Sequence, residues 1–440
     1  MKTIQVSAYR SNSQLIARVA LNVLLVLVTV MYSGLFQFLV TVSPYLLYGF
    51  YVALGVSMAG YLVLTNAFHR LQPLALYLIW LVFFCMWGTL VSASPSMVLP
   101  GAVRVLFWHA LIAPAVALIV ESRRNLEKLA TLFLWVAIIN CAIALQETID
   151  PQLISQIAYI LNPYGTAFSV LRPAGLWSNP NEAAYALVYA LLISYWARGR
   201  LVRLGRVVVV IGIYLTASRS GAYLLVIGGA VHLWFYFRSF RFDKLRAALL
   251  AFGIAALALS TLLAIDMIMA WGTEFSKNWT VNRLLDFSES EDMASGYLGR
   301  RQLTALWLRR VMDQPWLGYG LFAVQGSIRN TTAPSLEPVS AHNIYLAIAG
   351  ETGIVGLATY LLVVSVGINR LVRSGGIWLE RMAVAVMWLV YLLLGFVWHN
   401  QLTASTGIIY IALMLSLPAA LLHDPARTVP SPMTLADQQS

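Results

Sequence analysis

The chain has 440 residues, of which 60% are hydrophobic and 11% charged, with a net charge of +11 at pH 7. Soluble domains carry about 25% charged residues, so this composition, with a mean hydropathy of +0.75, describes an integral membrane protein. The positive charge does not indicate nucleic acid, because Lys and Arg fall in short clusters between apolar segments.

Taken in chain order, apolar stretches long enough to span a membrane are expected at about 20–41, 44–64, 72–93, 98–120, 126–147, 181–197, 203–217, 220–237, 247–271, 354–372, 382–398 and 403–422. The first apolar run is long and lacks a small-residue cleavage site, so it reads as a span and not a signal peptide. The 14 Trp and 21 Tyr suit a protein with two membrane–water interfaces. Cys85 and Cys141 lie in apolar stretches, which predicts no disulfide and no cysteine metal site.

Most of the 29 basic residues fall on alternate connections, as in Arg123–Arg124, Arg198–Arg206, Arg238–Arg246 and Arg370–Arg381. The positive-inside rule then makes those connections, and both termini, cytoplasmic. The expected organisation follows. Residues 1–271 hold spans one to nine with an external loop near 148–180. Residues 272–353 form a long external loop with amphipathic helices. Residues 354–423 hold spans ten to twelve, and 424–440 form a disordered cytoplasmic tail.

Ten basic residues break that bias, among them Arg104, Arg172, Arg219, Arg300, Arg301, Arg309 and Arg310. Arg219 sits in "TASRSGAYLL", in an external turn of a few residues between spans seven and eight. Its planar donor fork suits phosphate, and headgroup snorkelling is the alternative. Arg300 and Arg301 open an expected helix at about 298–312 that ends at Asp313-Gln-Pro315. Arg300 shares a face with Thr304, Trp307 and Val311, and Arg301 with Ala305, Leu308 and Met312. Pairing with "SESED" at 288–292 is the alternative, and Arg309 and Arg310 read as solvated or headgroup-facing. Arg104, inside span four, is either a ligand contact or half of a buried pair. In "LRPAGLWSNPNEAA", Asn181 is able to cap span six, and Arg172 could reach the same external cavity.

The stretch "SAHNIYLAIAGETGIVG", residues 340–356, would make a helix of about 48 Å if it ran unbroken to residue 372. The hydrocarbon core is only about 30 Å, so a break is expected at Gly350–Gly353. That leaves a short interfacial helix of about 341–349 begun by His342, and a span from 354 with Thr352 as a possible N-cap. Glu351 reads as a capping or pairing residue. A histidine at a water boundary can be neutral and accept a proton. The chain has no HExxH, no P-loop and no hydrolase elbow. One base among several cations suits transfer from a lipid-linked phosphate or diphosphate.

Three stretches, "TASRSGAYLL" (216–225), "GRRQLTALWLRRVMDQPWLGYG" (299–320) and "SAHNIYLAIAGETGIVGLATYLL" (340–362), resemble in order the motifs of the bacterial O-antigen ligase and polymerase superfamily. "RPAGLWSNPNEAA" (172–184) resembles the Asn-rich motif that precedes them. The resemblance covers about residues 170–370 and is nearest to the ligases that join surface polymer to lipid A-core. It implies an all-α polytopic membrane protein of about 12 transmembrane helices, GT-C-like, with a partly helical periplasmic loop between helices 9 and 10. It also implies an inverting, metal-independent glycosyltransferase of the bacterial inner membrane with its active site facing the periplasm. The donor would be undecaprenyl-diphosphate-linked glycan and the acceptor lipid A-core oligosaccharide. Carried over by motif, His342 would be the base, and Arg219 and Arg300, or the adjacent Arg301, would bind the donor diphosphate; Arg172 is grouped with them. No metal, cofactor or nucleic acid is implied, the only other partners are membrane lipids, and a monomer is expected. The tryptophan usual four residues after the "GR" arginine is Thr304 here, with Trp307 one turn later.

Polymerases and protein O-oligosaccharyltransferases share these motifs. A transporter or lipid flippase is the reading from a different class. It would bring repeated halves and polar groups at the bilayer midplane, whereas here the unusual groups collect at one face.

Overall fold

A computed structural model describes residues 2–36, 39, 43–93, 95–150, 156–157, 173–177, 179–216, 218–238, 300–322, 343–374 and 378–422. The elements are helical, with no strand among the described residues. In chain order they are α1 (Lys2–Tyr32), α2 (Pro44–Thr65), α3 (Ala75–Leu90), α4 (Pro95–Val120), α5 (Arg123–Ile149) and α6 (Pro180–Ile193). There follow α7 (Val202–Leu215), α8 (Arg219–Arg238), α9 (Arg300–Asp313), α10 (Ile344–Arg373), α11 (Trp378–Gly395) and α12 (Ser405–Leu422). Short 3-10 turns cover Phe68–Leu74, Ser194–Trp196 and His399–Leu402.

Among the described residues, seven helical stretches are long and apolar enough to cross a membrane. They are Ser13–Tyr32, Tyr45–Thr65, Phe68–Leu90, Pro95–Val120, Arg123–Ile149, Ile344–Arg373 and Trp378–Gly395. α6 and α7 fall on expected spans but have 14 residues each. That is about 21 Å of helix, short of the roughly 30 Å core. The ninth expected span, 247–271, lies outside the described residues, as does the tail 424–440. The chain is a polytopic α-helical membrane protein, and twelve crossings remain an expectation of the sequence.

Local chemistry sets the helix ends. Pro44 opens α2, and Asn66 closes it in the left-handed region. Ser122 caps α5 by accepting the Asn125 N–H at 3.4 Å. The first span was expected to run from 20 to 41, but α1 ends at Tyr32. There Gly34, with φ +75°, interrupts the helix before it resumes at Leu35–Phe36, and the Ser33 carbonyl takes a hydrogen bond from Asn140 Nδ2 at 3.1 Å.

α6 and α12 are buried around almost their whole circumference, as in Ala183–Ala190 and Ser405–Leu417, which places them at the centre of the bundle. The Tyr189 and Tyr410 rings stack between them at 3.5 Å, and Tyr32 stacks on Phe133 at 3.8 Å. His109 of α4 is fully buried between the Tyr77 hydroxyl (2.6 Å) and the Leu402 carbonyl (2.7 Å). Cys85 and Cys141 are buried free thiols.

The two ends of the bundle differ. At one end basic side chains are paired. Arg70 meets Glu121, Arg123 meets Glu380 at 3.1 Å, and Arg198 meets Glu127 at 2.7 Å. Arg370 donates to the Pro73 carbonyl at 2.6 Å, and Arg206 donates to Ser194. These residues belong to the clusters that the positive-inside rule assigns to the cytoplasm. The opposite end carries the family-like motifs.

Candidate functional site

At that opposite end two sequence-distant motifs lock together. "SNPNEAA" makes the start of α6, with Asn179 as its N-cap and Pro180 as its first residue. Asn181 was expected to be the cap; instead its N–H donates to Asn179 Oδ1 at 2.8 Å. That leaves the Asn181 amide free to accept from Ser218 Oγ at 2.9 Å. Ser218 caps α8 in turn, its carbonyl taking the Ala222 N–H and its Oγ the Gly221 N–H. Ser220 Oγ lies 2.8 Å from the Tyr185 hydroxyl and 3.3 Å from Ser218 Oγ. The helices touch closely here, since a Cβ on Gly221 would come within 2.5 Å of Ala184 Cβ. Arg219 is thus the first residue of α8, between two serines that both reach α6.

The loop before α6 is held by a clasp on α5. Glu147 Oε2 accepts the Ala174 and Gly175 N–H groups at 2.8 and 2.7 Å. Asn140 Oδ1 accepts the Leu176 N–H at 3.0 Å. Glu147 and Asn140 are buried, seven residues apart and so on one face of α5. Sequence reading did not single them out, although a Glu and an Asn at that spacing in an apolar span were the signal. Arg172, next to this loop in sequence, lies outside the described residues.

The third knot is at the break in α10. Gly353 has φ +71° and ψ −175°, so the expected break at Gly350–Gly353 is present. A break leaves carbonyls before it and an N–H after it without helical partners. The segment Pro315–Phe322 takes them up. Tyr319 N–H donates to the Gly350 carbonyl at 2.9 Å, and Gly320 N–H to the Glu351 carbonyl at 2.8 Å. Ile354 N–H donates to the Pro315 carbonyl at 2.7 Å. Glu351 accepts the Phe322 N–H through Oε1 at 3.2 Å, and Leu321 N–H reaches the Gly88 carbonyl of α3 at 2.8 Å. Thr352 was expected as a cap; it donates instead to the Ile348 carbonyl at 2.8 Å, because Ile354 is already satisfied by Pro315. Trp307 of α9 is buried among Leu306, Tyr319, Leu346 and Ala347, so α9 rides on the first half of α10.

That first half starts at Ile344, later than the expected 341. Asn343 is the N-cap, and its Oδ1 accepts the Tyr345 and Leu346 N–H groups at 2.9 and 3.1 Å. His342, the residue before this cap, lies outside the described residues. For Arg219, Arg300, Arg301 and His399 only the backbone is described. Arg104 is exposed, its guanidinium 5.6 Å from the Trp108 ring, which removes the buried pair from its two expected alternatives; the helix surface offers it an aromatic face. Arg310 lies 5.8 Å over the Tyr319 ring.

The turn after α11 joins the knots. Tyr345 donates to the Leu392 carbonyl at 2.7 Å and packs on Phe396 at 4.9 Å. Two residues on, Trp398 packs on Tyr185 at 5.3 Å. This turn therefore makes two separate aromatic contacts, Phe396 with the start of α10 and Trp398 with Tyr185 of α6, whose hydroxyl is hydrogen-bonded to Ser220. Among the described residues no three His, Cys, Asp or Glu side chains gather as a metal site.

A polytopic helical bundle with its motif residues knotted at one end is the class of protein these features define. Residues 204–361 match the family model described as O-antigen ligase, a stretch of similarity that spans about a third of the chain. The matched residues include Arg219, Arg300, Arg301 and His342, while Arg172 precedes them. No curated protein matches the chain.

Proposed function

We propose that the chain is an inverting, metal-independent glycosyltransferase. It moves O-antigen glycan from undecaprenyl diphosphate to a lipid A-core sugar hydroxyl at the periplasmic face of the inner membrane. The supporting observation is the aromatic junction of Tyr185, Trp398, Phe396 and Tyr345. It gathers the start of α8, which Arg219 opens, and the start of α10, capped by the residue after His342, at one end of the bundle.

His342 removes the proton of the acceptor hydroxyl. The oxygen attacks the anomeric carbon and forms the new glycosidic bond. The bond from that carbon to the diphosphate oxygen breaks, and the diphosphate leaves with the electron pair. Arg219, Arg300 and Arg172 neutralise its charge. Position 300 lies on the stripe of α9 that includes buried Trp307 and Val311, and position 301 on that of exposed Leu308 and Met312. This favours Arg300 over Arg301 at the donor. The end with paired arginines faces the cytoplasm, as the positive-inside rule requires, together with both termini, and residues 272–353 lie in the periplasm.

Reconstitution in proteoliposomes with undecaprenyl-diphosphate glycan tests the proposal, with lipid A-core, free glycan and a pilin offered as separate acceptors. Transfer to lipid A-core is expected, undiminished by EDTA and abolished in His342→Ala. Transfer to glycan or pilin alone replaces the ligase assignment by polymerase or protein glycosyltransferase. Wild-type rates in His342→Ala, or a requirement for added Mg²⁺ or Mn²⁺, overturn the mechanism.

A further inference from the structure

We infer that Asn181, Tyr185, Ser218 and Ser220 form a clamp that sets the position of Arg219, and that they act on donor binding through that arginine. The inference rests on the proposed role of Arg219 at the donor diphosphate. The residues on either side of Arg219 are each tied to α6, Ser218 to Asn181 at 2.9 Å and Ser220 to Tyr185 at 2.8 Å. Asn181 and Tyr185 are four residues apart, so both anchors lie on one face of α6. The two serine hydroxyls are themselves 3.3 Å apart. Ser218 and Tyr185 are almost wholly buried, where a lost hydrogen bond is not replaced by water.

The turn leading into the clamp is also closed. Thr216 Oγ1 donates to the Ile213 carbonyl at 2.7 Å and accepts the Ser218 N–H at 3.3 Å. Trp398 backs Tyr185 from the other side at 5.3 Å. A helix that needed only a cap would use Ser218 alone. The second bridge, from Ser220 to Tyr185, adds nothing to capping; it fixes the rotation of the first turn of α8, and with it the backbone that carries Arg219. An arginine held this way loses less conformational freedom when it engages an anion bidentately. Asn181 and Tyr185 are therefore positioning residues, and they lie before the residues matched by the family model.

The test is a double-mutant cycle on the full-length chain in detergent, read as the Kd for undecaprenyl diphosphate. Tyr185→Phe and Ser220→Ala remove one hydroxyl each, and Ser220→Thr restores it. Tyr185→Phe, Ser220→Ala and Asn181→Ala are each expected to weaken binding about tenfold, with Ser220→Thr near wild type. In an Arg219→Lys background, Tyr185→Phe is expected to add little further loss. Full additivity of the two losses overturns the clamp, as do single variants that bind like wild type. Wild-type binding by Arg219→Lys overturns the donor role of Arg219 itself, an outcome distinct from additivity. Thermal unfolding of each variant separates a loss of folded protein from a change in Kd.

Discussion

Gly353 turns back against the carbonyl of Trp316 so closely that a Cβ at position 353 would overlap its oxygen. This contact lets the Pro315–Phe322 segment satisfy the main-chain groups that the break in α10 exposes. Gly353→Ala combines the steric overlap with a φ of +71°, at a cost of about 1–3 kcal/mol from backbone strain alone. The variant is expected in the membrane fraction but with α9 detached from α10. Faster amide exchange at Tyr319, Gly320 and Ile354 and a loss of transfer would show this; wild-type exchange would contradict it.

The stripe position of Arg300 leads to a contrast between neighbours. Arg300→Ala is expected to lower transfer at least tenfold, and Arg301→Ala by less than threefold, on the scale of charge-assisted contacts. Measured transfer rates at saturating acceptor decide it, and the reverse order would move the donor contact to Arg301.

Glu147 is expected to matter through the loop it clasps. Glu147→Ala leaves the buried Ala174 and Gly175 N–H groups without their acceptor, at about 1–3 kcal/mol. Limited proteolysis should then cut between residues 173 and 177, with α5 intact. Equal protease resistance in wild type and variant would show that other contacts hold the loop.

His109 offers a contrast to His342. The Leu402 carbonyl can only accept, so Nε2 carries hydrogen, and in the neutral ring Nδ1 takes the Tyr77 O–H. His109→Ala would create a cavity and strand both partners, destabilising the fold by about 3 kcal/mol. Unfolding in detergent should shift to lower temperature, while transfer per folded molecule stays near wild type. A specific activity as low as that of His342→Ala would give His109 a chemical role.

Much of this molecule is visible in one dimension. Apolar runs located helices because the bilayer limits a span to about 30 Å. The same limit placed the break at Gly350–Gly353, and the separation of basic clusters marked one end of the bundle before any packing was known. Other features depend on partners far along the chain. Thr352 looked like a cap, but Pro315 had already satisfied Ile354. Asn181 looked like a cap, but Asn179 takes that role and Asn181 turns to Ser218. Asn140 and Glu147 were passed over because a polar residue in a span discloses its function only when the loop it binds is seen. The sequence alone determined the membrane class and where most of the described helices run, since these follow from local composition and length. Tertiary structure decided which motifs meet and which side chains hold them together, since buried hydrogen-bonding groups must find partners and no local pattern says where those partners lie.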